Sequence, residues 1–171
     1  FNVAKINPGM NVVVDDIAYG QNATVTVTMD ARGTGSVSIT VNGKTYTATV
    51  RDGKAVFNVV GLGAGKYPVT VSYAGDGNFT TATANAEFDV TPINTEMNVV
   101  ATNVTYGQNA TVTVTVNKGV TGTVSITVNG KTQNVNIVNG KASWTVAGLA
   151  AGSYTVTVNY AGNANFTAAS A

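Results

Sequence analysis

Three observations predict an all-β chain made of two tandem sandwiches. The first is repetition. Tyr19-Gly20-Gln21-Asn22-Ala23-Thr24-Val25-Thr26-Val27-Thr28 returns at Tyr106 to Thr115, displaced by 87 residues. Ser38 to Thr45 returns at Ser125 to Thr132, and Tyr73-Ala74-Gly75 … Asn78-Phe79-Thr80 returns at Tyr160 to Thr167, with the same displacement. Laid without gaps, residues 10–84 match 97–171 at 45 of 75 positions, so each repeat is one folding unit. The second is an apolar period of two almost throughout, and the third is a turn signal every eight to twelve residues.

Counted through one repeat, these signals give about seven strands, at roughly 10–18, 22–30, 35–42, 44–50, 54–60, 66–74 and 79–90. Val25, Val27 and Met29 alternate with Thr24, Thr26 and Thr28, and Val37, Ile39 and Val41 with Ser36, Ser38 and Thr40. Such strands keep one face in a core and one in water. Asn42-Gly43 and Asp52-Gly53, with Asn129-Gly130 and Asn139-Gly140 in the second repeat, read as tight hairpins, because these pairs tolerate positive φ. The expected inward sets continue with Ala55/Phe57/Val59, Tyr67/Val69/Val71/Tyr73 and Ala84/Ala86/Phe88/Val90. Trp144, the single Trp, stands in place of Phe57 and alternates with Ala142 and Val146, which reads as core. No stretch has a helical period. Seven short strands so punctuated argue for a β-sandwich.

Composition narrows the chemistry. Charged residues are 10% of the chain, the net charge is +1, and neither Cys nor His occurs. That balance offers no field for nucleic acid or anionic lipid. No apolar run approaches the roughly 20 residues of a membrane helix, so no membrane insertion is expected. Without Cys or His there is no disulfide framework, zinc finger, thiolate nucleophile or Ser-His triad.

Leu62-Gly63-Ala64-Gly65-Lys66-Tyr67-Pro68-Val69-Thr70-Val71-Ser72-Tyr73-Ala74-Gly75-Asp76, and its repeat from Leu149 to Asn163, resembles the penultimate-strand signature of bacterial and archaeal immunoglobulin-like (Big-type) tandem repeats. The resemblance covers both repeats almost completely. Its Thr/Asn-rich character is similar to the adhesin-like surface proteins of methanogenic archaea. The resemblance implies two immunoglobulin-like sandwiches placed end to end, and a tyrosine corner at Tyr67 and Tyr154.

The ends lead to further expectations. Phe1-Asn2-Val3 falls on Phe88-Asp89-Val90 when shifted by 87, while Ala171 is the counterpart of Ala84. Residues 1–5 therefore read as the tail strand of a preceding repeat, 6–91 as the first repeat, and 92–171 as a second repeat lacking its last strand. Two periods clipped from a longer array produce such ends. So does strand donation, in which Phe1, Asn2 and Val3 of one molecule complete the open sandwich of the next. The linker Thr91-Pro92-Ile93-Asn94-Thr95-Glu96 is short, lacks Gly and Ser, and carries a proline that keeps it extended, which suits a rod.

Few residues offer themselves for chemistry. Residues 97–171 contain no Asp or Glu, so no paired carboxylates or calcium cage recurs between repeats. Asp15, Asp16, Asp89 and Glu96 form the one plausible cation cluster, read first as solvated loop charges. Lys44, Lys54, Lys131 and Lys141 sit in hairpins rather than beside the buried partners that the isopeptide chemistry of related surface domains requires. The glycine loops at 61–65 and 74–77 lack the following helix of an anion site. Catalytic residues, cofactor and metal are all expected to be none. The Asn-x-Thr sequons at Asn22, Asn78, Asn103, Asn109 and Asn165 are what so much Asn and Thr produces by chance. Asn78 and Asn165 lie in equivalent loops expected to be exposed, as acceptors of N-glycosylation must, and are the foremost candidates for that modification, ahead of Asn22, Asn109 and Asn103.

The leading expectation is a non-enzymatic stalk or spacer in an extracellular, cell-surface adhesin-like protein. Its partners would be neighbouring copies of itself, with any surface glycan or protein engaged through regions outside this chain. One alternative is a subunit of an extracellular filament joined head to tail by strand donation. A second is a glycan- or protein-binding adhesion module.

Overall fold

The structure is a computed structural model that describes all residues, 1–171. It divides into two compact units, Phe1–Thr91 and Pro92–Ala171. Unit 1 contains β1 (Asn11–Val14), β2 (Ile17–Ala18), β3 (Ala23–Thr28), β4 (Ser36–Val41), β5 (Lys44–Thr49), β6 (Lys54–Val59), β7 (Gly65–Tyr73) and β8 (Ala82–Thr91). A three-stranded sheet in the order β1-β3-β6 faces a five-stranded sheet in the order β2-β8-β7-β4-β5. Unit 2 contains β9 (Met97–Ala101), β10 (Ala110–Val116), β11 (Thr123–Val128), β12 (Lys131–Asn136), β13 (Lys141–Val146), β14 (Val156–Tyr160) and β15 (Ala169–Ser170). Its sheets run β13-β10-β9 and β12-β11-β14-β15.

The strand sequences explain the layers. In β3, β4 and β6 every second residue is buried: Ala23, Val25 and Val27; Val37, Ile39 and Val41; Ala55, Phe57 and Val59. The intervening Thr, Ser and Asn residues face outward or lie partly covered, as the strand period requires. The two inner faces interdigitate into one core, which Val69, Val71, Tyr73, Phe79, Phe88 and Val90 complete. No buried side-chain polar atom lacks a hydrogen-bond partner, so the core carries no uncompensated desolvation.

The hairpin turns form as their sequences require. Asn42, Asp52, Asn129 and Asn139 all have φ near +50, each followed by a glycine at positive φ. The tyrosine corner is also present. Tyr67 donates its hydroxyl to the Gly63 carbonyl at 3.0 Å, and Tyr154 donates to Ala150 at 3.0 Å. A second tyrosine tie, from Tyr73 to the Thr34 carbonyl and from Tyr160 to that of Thr121, is 2.9 Å long in both units.

Two expectations need correcting. The first strand is not continuous over 10–18. β1 pairs with β3, whereas β2 crosses to the other sheet and runs parallel to β8. The break falls at Asp15-Asp16, where the Asp16 carboxylate accepts the Asp89 backbone N–H at 2.7 Å. Alternation along one strand cannot reveal that its two ends serve different sheets. Trp144 keeps the inward face of β13, between Ala142 and Val146, but is half-buried where Phe57 is 4% exposed.

The loop after each penultimate strand is fixed by one side chain. Asp76 Oδ1 accepts the backbone N–H groups of Asn78 and Phe79 at 2.8 and 2.9 Å, and Oδ2 accepts the N–H and hydroxyl of Thr34 at 2.9 and 2.8 Å. In unit 2, Asn163 Oδ1 takes the N–H groups of Asn165 and Phe166, while its amide nitrogen donates to Thr121. The amide therefore keeps half of the carboxylate's arrangement and reverses the polarity of the other half. Hydrogen bonds led by those from Asn78 and Thr34 hold the Asp76 carboxyl far below the usual carboxylate range. Arg32 holds Asp30 at about 2. Gly75 turns this loop at φ +80, and a Cβ there would meet the Phe79 carbonyl oxygen at 2.7 Å; Gly20, at φ +89, has nothing within 4 Å.

Both features are testable. Gly20→Ala should cost only the strain of a positive φ, about 1–2 kcal/mol, and Gly75→Ala clearly more, because backbone must move; urea unfolding of the two variants checks the order. Because the folded pKa of Asp76 is depressed, its contribution is complete above the unfolded value near about 4 and fades as pH falls below it. Lowering pH from about 4 to about 2 should therefore lower the melting temperature of unit 1 and leave the unit 2 transition, followed by Trp144 fluorescence, nearly unmoved. In Asp76→Asn the melting temperature should be lower at neutral pH and the acid dependence of unit 1 smaller. Equal acid sensitivity of variant and parent would contradict this assignment.

Candidate functional site

The two units differ most at one end of the sandwich. In unit 1 that end is closed by β8, which pairs along the whole of β7, from Gly65↔Val90 to Tyr73↔Ala82. Phe88 and Val90 point into the core and are 2% and 3% exposed. The Phe88 ring stacks on Tyr67 with centroids 5.7 Å apart. On its other side β8 is held by β2, through Ile17↔Val90 and Ala18↔Thr91, and the Tyr19 N–H donates to the Thr91 carbonyl at 2.8 Å. Outside, the Lys66 ammonium lies 2.9 Å from Glu87 and 3.6 Å from Asp89, which raises its pKa. All three side chains are exposed, so this ion pairing adds little to stability.

In unit 2 the corresponding region is an open groove of about 510 Å³, lined by Val104, Tyr106, Val112, Leu149, Tyr154 and Val156 among others. Its walls include the counterparts of Ile17, Tyr19, Val25, Leu62, Tyr67 and Val69, which belong to or pack against the core cluster that contains Phe88 and Val90 in unit 1. Leu62 is 6% exposed and Val69 1%, but Leu149 and Val156 are only half-buried. Tyr106 is 82% exposed, whereas its counterpart Tyr19 is packed against the unit 1 core. Val104 and Thr105, in the position of β2, form no strand, and β14 pairs only from Val156 onward. The tyrosine corner at Tyr154 holds its hydrogen bond without the stacked phenyl ring, so the groove wall is shaped by its own backbone.

The residues singled out in the sequence are scattered. Asn22, Asn78, Asn103 and Asn109 are exposed and Asn165 is half-buried. Asn78 and Asn165 do occupy equivalent loops, where their carbonyls accept the N–H groups of Ile6 and Ile93 at 3.0 Å. Phe1 and Val3 are fully and largely exposed, and Asn2 lies between them in the open. A second hollow, of about 260 Å³, lies between residues 3–6 and the Asn78 loop, under Arg32. Asp15, Asp16, Asp89 and Glu96 do not assemble, since no group of three or more potential metal ligands occurs. Lys44, Lys54, Lys131 and Lys141 are exposed. The groove lining was not singled out from the sequence. The signal was available, because the 87-residue shift maps Val104, Tyr106 and Leu149 onto Ile17, Tyr19 and Leu62.

Comparison with known proteins agrees with this architecture. The family model described as bacterial Ig-like domain (group 3) matches residues 11–91 and again 97–171. No curated protein matches the chain. Among solved structures, the fibronectin(III)-like modules of Clostridium thermocellum CbhA are 13% identical, with 94% of this chain and 90% of that one covered and a TM-score of 0.40. A bacterial ice-binding adhesin, studied for its retention on the host cell surface, is 19% identical over 96% of this chain and 62% of that one, with a TM-score of 0.36. Bacteroides uniformis beta-glucuronidase 3 is 13% identical over 96% of this chain and 24% of that one, with a TM-score of 0.38. With both of its sandwiches matched, the chain belongs to the bacterial Ig-like (group 3) domain family, as two tandem copies of that domain.

Proposed function

We propose that the two domains are non-enzymatic spacer modules of an extracellular surface protein of adhesin type. Tandem bacterial Ig-like domains are typical of such proteins. The observation that carries the reading is where the repeats agree and where they differ. The core strands, the Asn-Gly and Asp-Gly hairpins and both tyrosine ties recur, whereas every acid of residues 10–84 is replaced in the second repeat. What is kept is what folds a module. A repeated binding site would keep its polar groups, because recognition needs them in place.

The connection between the domains supports the same reading. β8 ends at Thr91, and Ile93 already exchanges hydrogen bonds with Asn165 and Thr167 of unit 2 at 3.0 Å. Only Pro92 lies between, and its ring fixes φ. A short connection that carries Pro and lacks Gly and Ser has the composition expected of a spacer. Small-angle scattering of arrays with increasing repeat number should show a maximum dimension that grows in proportion to that number. Inserting a Gly-Ser segment at Pro92 should broaden the distribution of dimensions while leaving each domain's melting temperature unchanged. Arrays that stay compact, or that behave as freely jointed chains before any insertion, would refute the spacer role.

A further inference from the structure

One lateral edge of unit 1 has its backbone groups open. β5 is the last strand of the five-stranded sheet, with β4 on one side and no strand on the other. Its pairing with β4 starts at Val41↔Lys44, beside the Asn42-Gly43 turn, and the Val50 N–H donates to the Gly35 carbonyl at 2.9 Å. Bonded positions alternate along an antiparallel strand. Lys44, Tyr46 and Ala48 therefore direct their backbone groups to β4, while Thr45, Thr47 and Thr49 turn theirs outward. Edges are ordinarily guarded by a proline, a bulge or a charge, and residues 45–49 hold none of these. We propose that the β5 edge is a strand-pairing site, and that its occupant is β5 of a second copy of this chain, added antiparallel by β-augmentation about a two-fold axis at Thr47.

Unit 2 shows why the site is at β5. There β12 holds the equivalent edge, and the Ile137 N–H donates to the Gly122 carbonyl at 2.9 Å, so the same alternation turns Thr132, Asn134 and Asn136 outward. The Gln133 side chain, however, donates to the Asn134 carbonyl at 3.1 Å. That bond takes up the acceptor at the middle of the edge. In unit 1 the place of Gln133 belongs to Tyr46, which has no amide to reach round with. Its ring packs against the unit 1 core and stays half-buried, and the Thr47 carbonyl is left open. A single difference between the repeats thus separates a capped edge from an open one.

The outward groups fix the register. Pairing about Thr47 places Thr45 opposite Thr49, Thr47 opposite Thr47, and Thr49 opposite Thr45 of the second copy. Each is a bonded pair, so every outward N–H and C=O of these threonines finds a partner. A shift by two residues leaves one threonine with no residue of β5 opposite it. On the outer face threonine meets threonine, the hydroxyl pairing that Thr40 and Thr45 already make at 3.1 Å. On the core face, in the closer non-bonded pairs, Tyr46 meets Ala48, a large side chain against a small one, both half-buried in the single chain. Lys44 lies opposite Val50, so the two ammonium groups stand at opposite ends of the ladder and no like charges meet. One strand against another buries well below the about 1,000 Å² of a stable interface. Single chains therefore pair weakly, and the contact gains strength where many copies stand side by side.

Amide NMR spectra of the intact chain, diluted from about 1 mM, where so small an interface forms, test this. The Thr45, Thr47 and Thr49 resonances should move with concentration, and those of Thr132, Asn134 and Asn136 should not. Thr47→Lys and Thr47→Asp, changes at an exposed position, should each abolish the concentration dependence and leave the melting transitions unchanged, because like charges then meet at the axis. An equimolar mixture of the two variants should restore it. The chain has no cysteine, so Thr47→Cys provides a trap: the Cα spacing of a bonded pair, about 5.5 Å, suits a disulfide. Under mild oxidation this variant should form a covalent dimer about tenfold faster than Asn134→Cys does, and adding Tyr46→Gln should slow it toward the Asn134→Cys rate. Unmoved resonances at Thr45–Thr49, association retained by either charge variant, no recovery in the mixture, or equal trapping at 47 and 134 would each overturn the proposal. None of these outcomes bears on the spacer role, which scattering decides separately.

Discussion

The closing of one end of the sandwich by an aromatic and a branched side chain on a single strand is the constraint on which much else depends. Phe88 and Val90 are buried on the inner face of β8 in unit 1. Burying them does three things at once. It removes two large apolar side chains from water, worth about 1.5–3 kcal/mol each. It gives β7 a partner along its whole length. It also gives β2 a neighbour, which is why the first strand can leave one sheet and join the other.

Unit 2 shows the converse with nearly the same sequence. Without such a strand against Gly152–Val156, the residues in the position of β2 form no ladder, Tyr106 lies in water, and Leu149 and Val156 are half-covered. The rest of unit 2 is little changed. Val112, Val114, Val124, Ile126, Val128 and Val158 are buried as their counterparts are, and Tyr160 makes the same tie as Tyr73. The centre of the sandwich is therefore the same in both units.

The surface is unusual for a domain that is so weakly charged. Outward strand positions carry Thr, Ser and Asn, and cross-strand hydroxyl pairs such as Thr40 with Thr45 and Thr127 with Thr132 recur in both units. Such pairs favour strand pairing directly. The few acids act locally as braces: Asp76 on its loop, Asp30 on Arg32, and Asp16 on the backbone of β8. That unit 2 makes an equivalent loop with Asn163 shows that the geometry of the cap, rather than its charge, is what the fold requires.

Much was legible in the amino-acid order alone, because it depends on neighbours in sequence. Alternation of two set the faces of β3, β4 and β6, Asn-Gly and Asp-Gly set the hairpins through their tolerance of positive φ, and the exact period set the number of domains. Leu62 to Asp76 identified the family and its tyrosine corner. What the tertiary structure alone decided depends on residues distant in sequence. The first strand divides between two sheets because its second half meets β8, seventy residues or more away. Which side chains line the opening of unit 2, Val104, Tyr106 and Leu149 among them, was likewise decided by the tertiary structure, because the burial of each depends on the strand opposite it.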